Sequence, residues 1–257
     1  MWNRPRRLPP AVRSLARAFR EGLIQALGDD LASAFLIGSV AFPGYRLESA
    51  DLDFFVVTHR AVSSGERDRL SRLHRDLARG FQKGDNLDGL YIPLDRASRR
   101  IRPRGLAFDA KGRPCFGIQD QAWALHRAHV HAGAFVLLAG RDPRKLLPRA
   151  SWSEVARDLE HELRLLREAL VPYPVYATLD VCRLLYTWKE RNPAVSKVFA
   201  GRWAVRSLPE RWAELAAAAL RQYRGAGRPK DRRLVASRVR EFYSLARRQV
   251  APRANRP

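Results

Sequence analysis

The sequence predicts an α+β chain in two parts, a strand-and-helix segment over residues 1–150 and an all-helical segment over 151–257. Three observations carry this. Two short apolar strands flank a Gly38-Ser39 turn, the second running through Phe54-Phe55-Val56-Val57 directly after Asp51-Leu52-Asp53. Apolar residues at three- and four-residue intervals mark helices before and between such strands. From Ser151 onward the helical period is the only one left.

Each element has its own signal. Val12, Leu15, Phe19, Leu23, Ile24 and Leu27 predict a first helix from Pro9 or Pro10 to Gly28, with Pro at the entry and Gly at the exit. Ala34-Phe35-Leu36-Ile37 reads as strand one and the Asp51–Val57 segment as strand two. Ser63 and Glu66 form a capping box that opens a second helix carried by Leu70, Leu73 and Leu77 to about Gly80. Leu87 to Leu94 reads as a third strand, and Arg96 to Arg104 as a surface loop. After Leu106 the pattern weakens, leaving a helix over Gln119 to His131 and a turn at Gly140-Arg141-Asp142-Pro143. A second capping box, Ser151 with Glu154, opens a helix faced by Val155, Leu159, Leu163, Leu166 and Leu170. Helices follow over Val175–Arg191, Phe199–Ser207, Pro209–Tyr223 and Arg232–Val250.

Chemistry concentrates at strand two. Side chains alternate along a strand, so Asp51 and Asp53 share a face while Leu52 packs on the other. Two carboxylates so close repel each other, and a divalent cation relieves this. Gly38 lets a bulky anion approach the backbone, and Ser39 offers a hydroxyl and an amide to phosphate oxygens. Asp88 begins a strand expected to pair beside the Asp51 strand. A carboxylate near the metal but not saturated by it can take the proton of an attacking hydroxyl. His126, His129 and His131 lack the spacing and the fourth ligand of a metal centre and are expected to pack or face solvent.

Composition narrows the classes further. No apolar run approaches the ~20 residues that span a membrane, so no membrane partner is expected. Cys115 and Cys182 make no disulfide framework, which points to a reducing cytoplasm. The net charge is +22, with six Arg and no acid in residues 1–20, and eleven Lys or Arg against two acids in 224–257. These ends could meet nucleic acid, but Arg outnumbers Lys 42 to 6 and no nucleic-acid motif accompanies them. Solvated basic faces are the expectation.

The order helix, Gly-Ser turn, Asp-x-Asp strand, helix, third acidic strand resembles the DNA-polymerase-β-like nucleotidyltransferases. The helical part narrows the resemblance to the streptomycin and spectinomycin 3''-adenylyltransferases. It rests on Thr178-Leu179-Asp180-Val181-Cys182-Arg183-Leu184-Leu185-Tyr186-Thr187, Val195-Ser196-Lys197, Arg202-Trp203-Ala204, Leu208-Pro209 and Arg221-Gln222-Tyr223-Arg224-Gly225, and spans roughly residues 20–250.

The resemblance implies a polymerase-β-like mixed sheet followed by a helical bundle. It implies ATP as co-substrate, Asp51 and Asp53 holding Mg²⁺ (two ions), and Asp88 as the catalytic base. Gly38 and Ser39 would cradle phosphates, Arg183 and Lys197 would reach them from the second domain, and Tyr223 would lie against the nucleotide. The family's base is more often Glu. The expected reaction is AMP transfer to a hydroxyl of a small molecule, with streptomycin the first choice, by a monomer. In antibiotic-modifying relatives, acids precede the helix bearing the family's Arg. Residues 171–176 hold none here, and Glu168 and Asp180 flank the stretch. Two alternatives differ from this reading: a protein or RNA acceptor, of which the basic ends slightly favour RNA, and a nucleotide-binding relative without turnover, which three retained carboxylates oppose.

Overall fold

A computed structural model describes residue 8 and residues 10–42 and 51–250. The basic stretches at 1–7 and 251–257 lie outside the described residues. The chain divides into two compact units, residues 1–150 and 151–257.

In the first unit, α1 (Pro10–Leu27) leads to β1 (Leu31–Leu36) and β2 (Leu52–Thr58). Then come α2 (Ser64–Gly80), β3 (Leu87–Pro93), the single turn α3 (Leu94–Ala97) and the hairpin β4 (Arg104–Phe108) and β5 (Pro114–Gln119). The helix α4 (Trp123–His131) and β6 (Val136–Gly140) complete it. The strands form one mixed sheet in the order β5-β4-β3-β2-β1-β6. β2 and β3 are parallel and joined by α2, while every other neighbouring pair is antiparallel. Parallel neighbours need such a crossover because a two-residue turn can only reverse the chain.

Alternation along β2 sorts the sheet into two faces. Leu52, Phe54 and Val56 join α1, α2 and Tyr91 in one core. Phe55 and Val57 join Leu90, Ile92 and, from α4, Trp123 and Val130 in the other. By the same parity Asp53 belongs to the Phe55 face, and Asp88 to the face of Leu90 and Ile92, which is the same one. This parity is what positions the site.

The capping box at α2 is complete: Ser63 Oγ accepts from the Glu66 amide, and the Glu66 carboxylate accepts from the Ser63 amide at 2.7 Å. Glu66 also receives a forked Arg60 pair at 3.0 Å on each arm. Burial alone would push the Glu66 carboxyl up, but these hydrogen bonds outweigh it and bring the pKa down to about 2.

Three strands, β4, β5 and β6, were not legible, and α4 is shorter than its expected helix because β5 occupies the segment up to Gln119. β5 is an edge strand exposed along most of its length, so no apolar alternation announces it. The 96–104 stretch opens with α3 before it becomes a loop.

The second unit is α5 (Trp152–Ala169), α6 (Pro174–Glu190), α7 (Lys197–Ser207), α8 (Glu210–Tyr223) and α9 (Pro229–Val250). Ser151 and Glu154 form the second capping box. α6 is the most deeply buried of the five, with Ala177, Leu179, Val181, Cys182 and Leu185 wholly inside. Trp212 of α8 stacks on Phe242 of α9 at 5.1 Å between ring centres. No helix among the described residues is long and apolar enough to cross a membrane.

Candidate active site

The acids meet where β2 and β3 begin. The two strands are in register with Asp53 opposite Asp88, each the second residue of its strand. Asp51 stands just before β2, and Asn86 Nδ2 donates to Asp51 Oδ1 at 3.0 Å. Asn86 closes a short 3₁₀ turn after Lys83, whose φ of 65° lies in the left-handed region. Thus the turn that launches Asp88 also ties down Asp51.

The Gly38-Ser39 turn closes over the same place. β1 ends opposite β2, and the Ile37 amide donates to the Asp53 carbonyl at 2.9 Å. Gly38 has a φ of +66°, and a Cβ there would lie 1.8 Å from Asp53 Oδ2. The residue therefore has to be glycine both for its backbone and for the space it leaves. A 3₁₀ turn over Gly38–Ala41 follows, with Ser39 exposed and Gly38 partly so.

Electrostatics single out Asp88. Burial raises its carboxyl pKa, repulsion from Asp51 raises it further, and His126 pulls it back. The residue as a whole remains exposed, so solvent moderates these effects. His126 lies on α4 with its ring edge against Phe55, 5.4 Å between centres. Its Nδ1 is 2.8 Å from Asp120 Oδ2, and Asp120 is itself buried and accepts the Ala122 amide at 2.8 Å. Sequence reasoning passed over this pair, since 38 residues separate His126 from Asp88 and only the fold brings them near. His129, packed on Phe42, and His131, on the Leu147 carbonyl, behave as expected.

An expected result follows for the metal-free protein. The Asp88 carboxyl, followed by NMR titration, should protonate above the ordinary Asp range. Asp51→Asn should lower that midpoint and His126→Gln should raise it. Shifts in the same direction for both variants would contradict the charge arrangement.

Among the described residues, no group of three or more His, Cys, Asp or Glu is arranged to hold a metal by itself. The donor set nevertheless fits Mg²⁺, which takes oxygen ligands and is commonly held by one or two carboxylates together with substrate phosphates and water. Asp51 and Asp53 could supply two such carboxylates, with Asp88 opposite Asp53 on the neighbouring strand.

In the helical unit the expected residues form a cluster of their own. Arg183 sits on α6 and Lys197 is the first residue of α7, whose N-cap Ser196 accepts the Phe199 amide at 3.1 Å. Asp180, one turn before Arg183, lies between the two cations. Its Oδ1 is 2.9 Å from Arg183 Nε, and its Oδ2 is 3.2 Å from Lys197 Nζ. The Arg183 contact is a close ion pair through Nε. Glu162 of α5 is 3.8 Å from Arg183 Nη2, and Lys197 Nζ stands 3.2 Å over the Tyr176 ring centre. Asp180 is 4% exposed. Burial raises its pKa, but Lys197 and Arg183 more than reverse this, and the net shift is down. Asp180 is therefore paired with both cations, and Glu168 stays exposed. Tyr223 ends α8, half-buried.

Residues 145–249 match the family model of the aminoglycoside adenylyltransferase C-terminal domain. The fold is similar to that of spectinomycin adenyltransferase AAD(9) from Enterococcus faecialis, in a crystal structure with ATP and spectinomycin. The TM-score is 0.74 at 18% identity, covering 91% of this chain and 99% of that one. No curated protein matches the chain in sequence. The resemblance read from the helical motifs is thus met by the family match, and the α+β fold by the structural one.

Proposed function

We propose that this chain is an aminoglycoside-type adenylyltransferase, moving AMP from MgATP to a hydroxyl of a small molecule and releasing pyrophosphate. One observation carries the reading: Asp53 and Asp88, in register on parallel strands and on one face, beside a glycine turn that a single added carbon would close. The family match of the helical unit and the AAD(9)-like fold support it.

Each residue then has a task. Gly38 leaves room for phosphate at the end of β1, and the exposed Ser39 offers its amide and hydroxyl. Asp51 and Asp53 would hold Mg²⁺, which when bound neutralises charge building on the triphosphate. Arg183 and Lys197 would add cationic charge for the phosphates, and Tyr223 a ring for the nucleotide. Asp88 accepts the proton of the acceptor hydroxyl as that oxygen bonds to the α-phosphorus. The bond from the α-phosphorus to the bridging oxygen breaks, and pyrophosphate leaves with the electron pair. A raised pKa suits this role, because a stronger base takes a hydroxyl proton more readily.

The acceptor is proposed as an aminoglycoside, spectinomycin or streptomycin. Incubated with MgATP and a panel of aminoglycosides, the protein should release pyrophosphate only with a competent acceptor, which should gain one adenylyl group by mass spectrometry. Label from ATP passing instead to protein or RNA in a cell extract, with every aminoglycoside inert, would overturn the acceptor class.

A further inference from the structure

We propose that Asp180 is a positioning residue for the nucleotide's polyphosphate, holding Arg183 and Lys197 as one preset pair of cations from beneath. The inference rests on the reading that these two side chains contact phosphate, and it concerns how they are kept ready to do so.

The geometry separates the acid from the cations by depth. Asp180 is buried, whereas the Arg183 and Lys197 side chains keep 26% and 22% of their surface exposed. The carboxylate is thus a floor and the cations are the surface. Each oxygen takes one cation: Oδ1 faces Arg183 of α6 and Oδ2 faces Lys197 at the head of α7. Without the acid, two positive groups on separate helices would repel and spread.

Three further features fit a preset pair better than a simple structural ion pair. Lys197 lies in the first turn of α7, where the helix dipole disfavours a cation, so its position needs a local reason. The ammonium is held between Asp180 and the face of the Tyr176 ring, 3.2 Å from each. The Arg183 contact with Asp180 is made through Nε at 2.9 Å, the nitrogen nearest the chain rather than the tip of the guanidinium fork. Finally, Tyr176, Asp180 and Arg183 fall at i, i+4 and i+7 on α6, one stripe that a single helix holds rigid. Preorganised donors avoid the cost of gathering two long, mobile side chains when phosphate arrives.

Asp180→Asn keeps the shape and removes the charge. Positioning predicts weaker phosphate binding even though the pocket becomes more positive; a carboxylate that merely competed with phosphate would predict the reverse. The tests are calorimetry with inorganic pyrophosphate on the full chain and an ATP saturation series. Asp180→Asn should weaken pyrophosphate binding and raise the KM for ATP by about tenfold, with kcat falling much less. Tyr176→Phe removes the hydroxyl that hydrogen-bonds Asp180 and keeps the ring, and should shift both constants the same way by about threefold; it serves if Asp180→Asn does not fold. Unchanged or tighter binding in the folded variants overturns the proposal. Arg183→Ala and Lys197→Ala separate the levels. If neither weakens pyrophosphate binding, the phosphate-contact reading falls and this proposal with it; if both do while the Asp180 and Tyr176 variants bind normally, only the positioning role falls.

Discussion

Asp53→Asn should lower adenylyl transfer by on the order of a thousandfold or more while leaving the protein folded. The substitution keeps the size and most of the hydrogen-bonding shape of the side chain, so β2 and its pairing with β3 have no reason to move. What disappears is the negative charge on the oxygen that faces Gly38 and lies level with Asp88. A carboxylate that holds a divalent ion against a triphosphate contributes several kcal/mol to the transition state, and each 1.36 kcal/mol is about tenfold in rate. Pyrophosphate release with a competent acceptor measures the loss, and thermal unfolding checks the fold. A variant that turned over at the parent rate would sink the proposed mechanism outright.

Gly38→Ala should cost about a hundredfold in the same assay, by a different route. The alanine methyl would meet Asp53 Oδ2 at 1.8 Å, and one of the two must move. The carboxylate is the end of a side chain and can swing, so the chain survives. Holding alanine at a φ of +66° adds about 1–2 kcal/mol of backbone strain. The function does not survive as easily, because the group displaced is the acid that has to stay aligned. A modest loss of stability in denaturant unfolding, together with a large loss of rate, is the signature; full activity would show that the turn does not shape the site.

Much of this was legible in the sequence, and the reasons differ by element. α2 and α5 were readable because Ser63 with Glu66 and Ser151 with Glu154 are local signals, complete within four residues. β2 was readable from Phe54-Phe55-Val56-Val57, a run buried on both faces. β5 was not, because an edge strand whose side chains mostly face solvent has no apolar period to detect. The site followed the same logic. Asp51, Asp53 and Gly38 are near one another in sequence, and Asp88 needed only the expectation of neighbouring strands, which the register of β2 with β3 meets. His126 with Asp120 and the grip of Asp180 on Lys197 depend on packing between separate elements. From sequence Asp180 stands only as an acid flanking residues 171–176, since nothing local joins it to a lysine seventeen residues on.

The parallel pairing of β2 and β3 also sets where this protein can tolerate change in length. Residues 59–86 carry the chain from one strand to the next, and the link between β2 and α2 can lengthen without changing the parity of either acid's strand, whereas Asn86 has to keep its place against Asp51. One residue gained or lost within Leu87–Pro93 is another matter. It would turn Asp88 into the oily interior beneath α1 and bring an apolar side chain to the spot where the proposed reaction takes its proton.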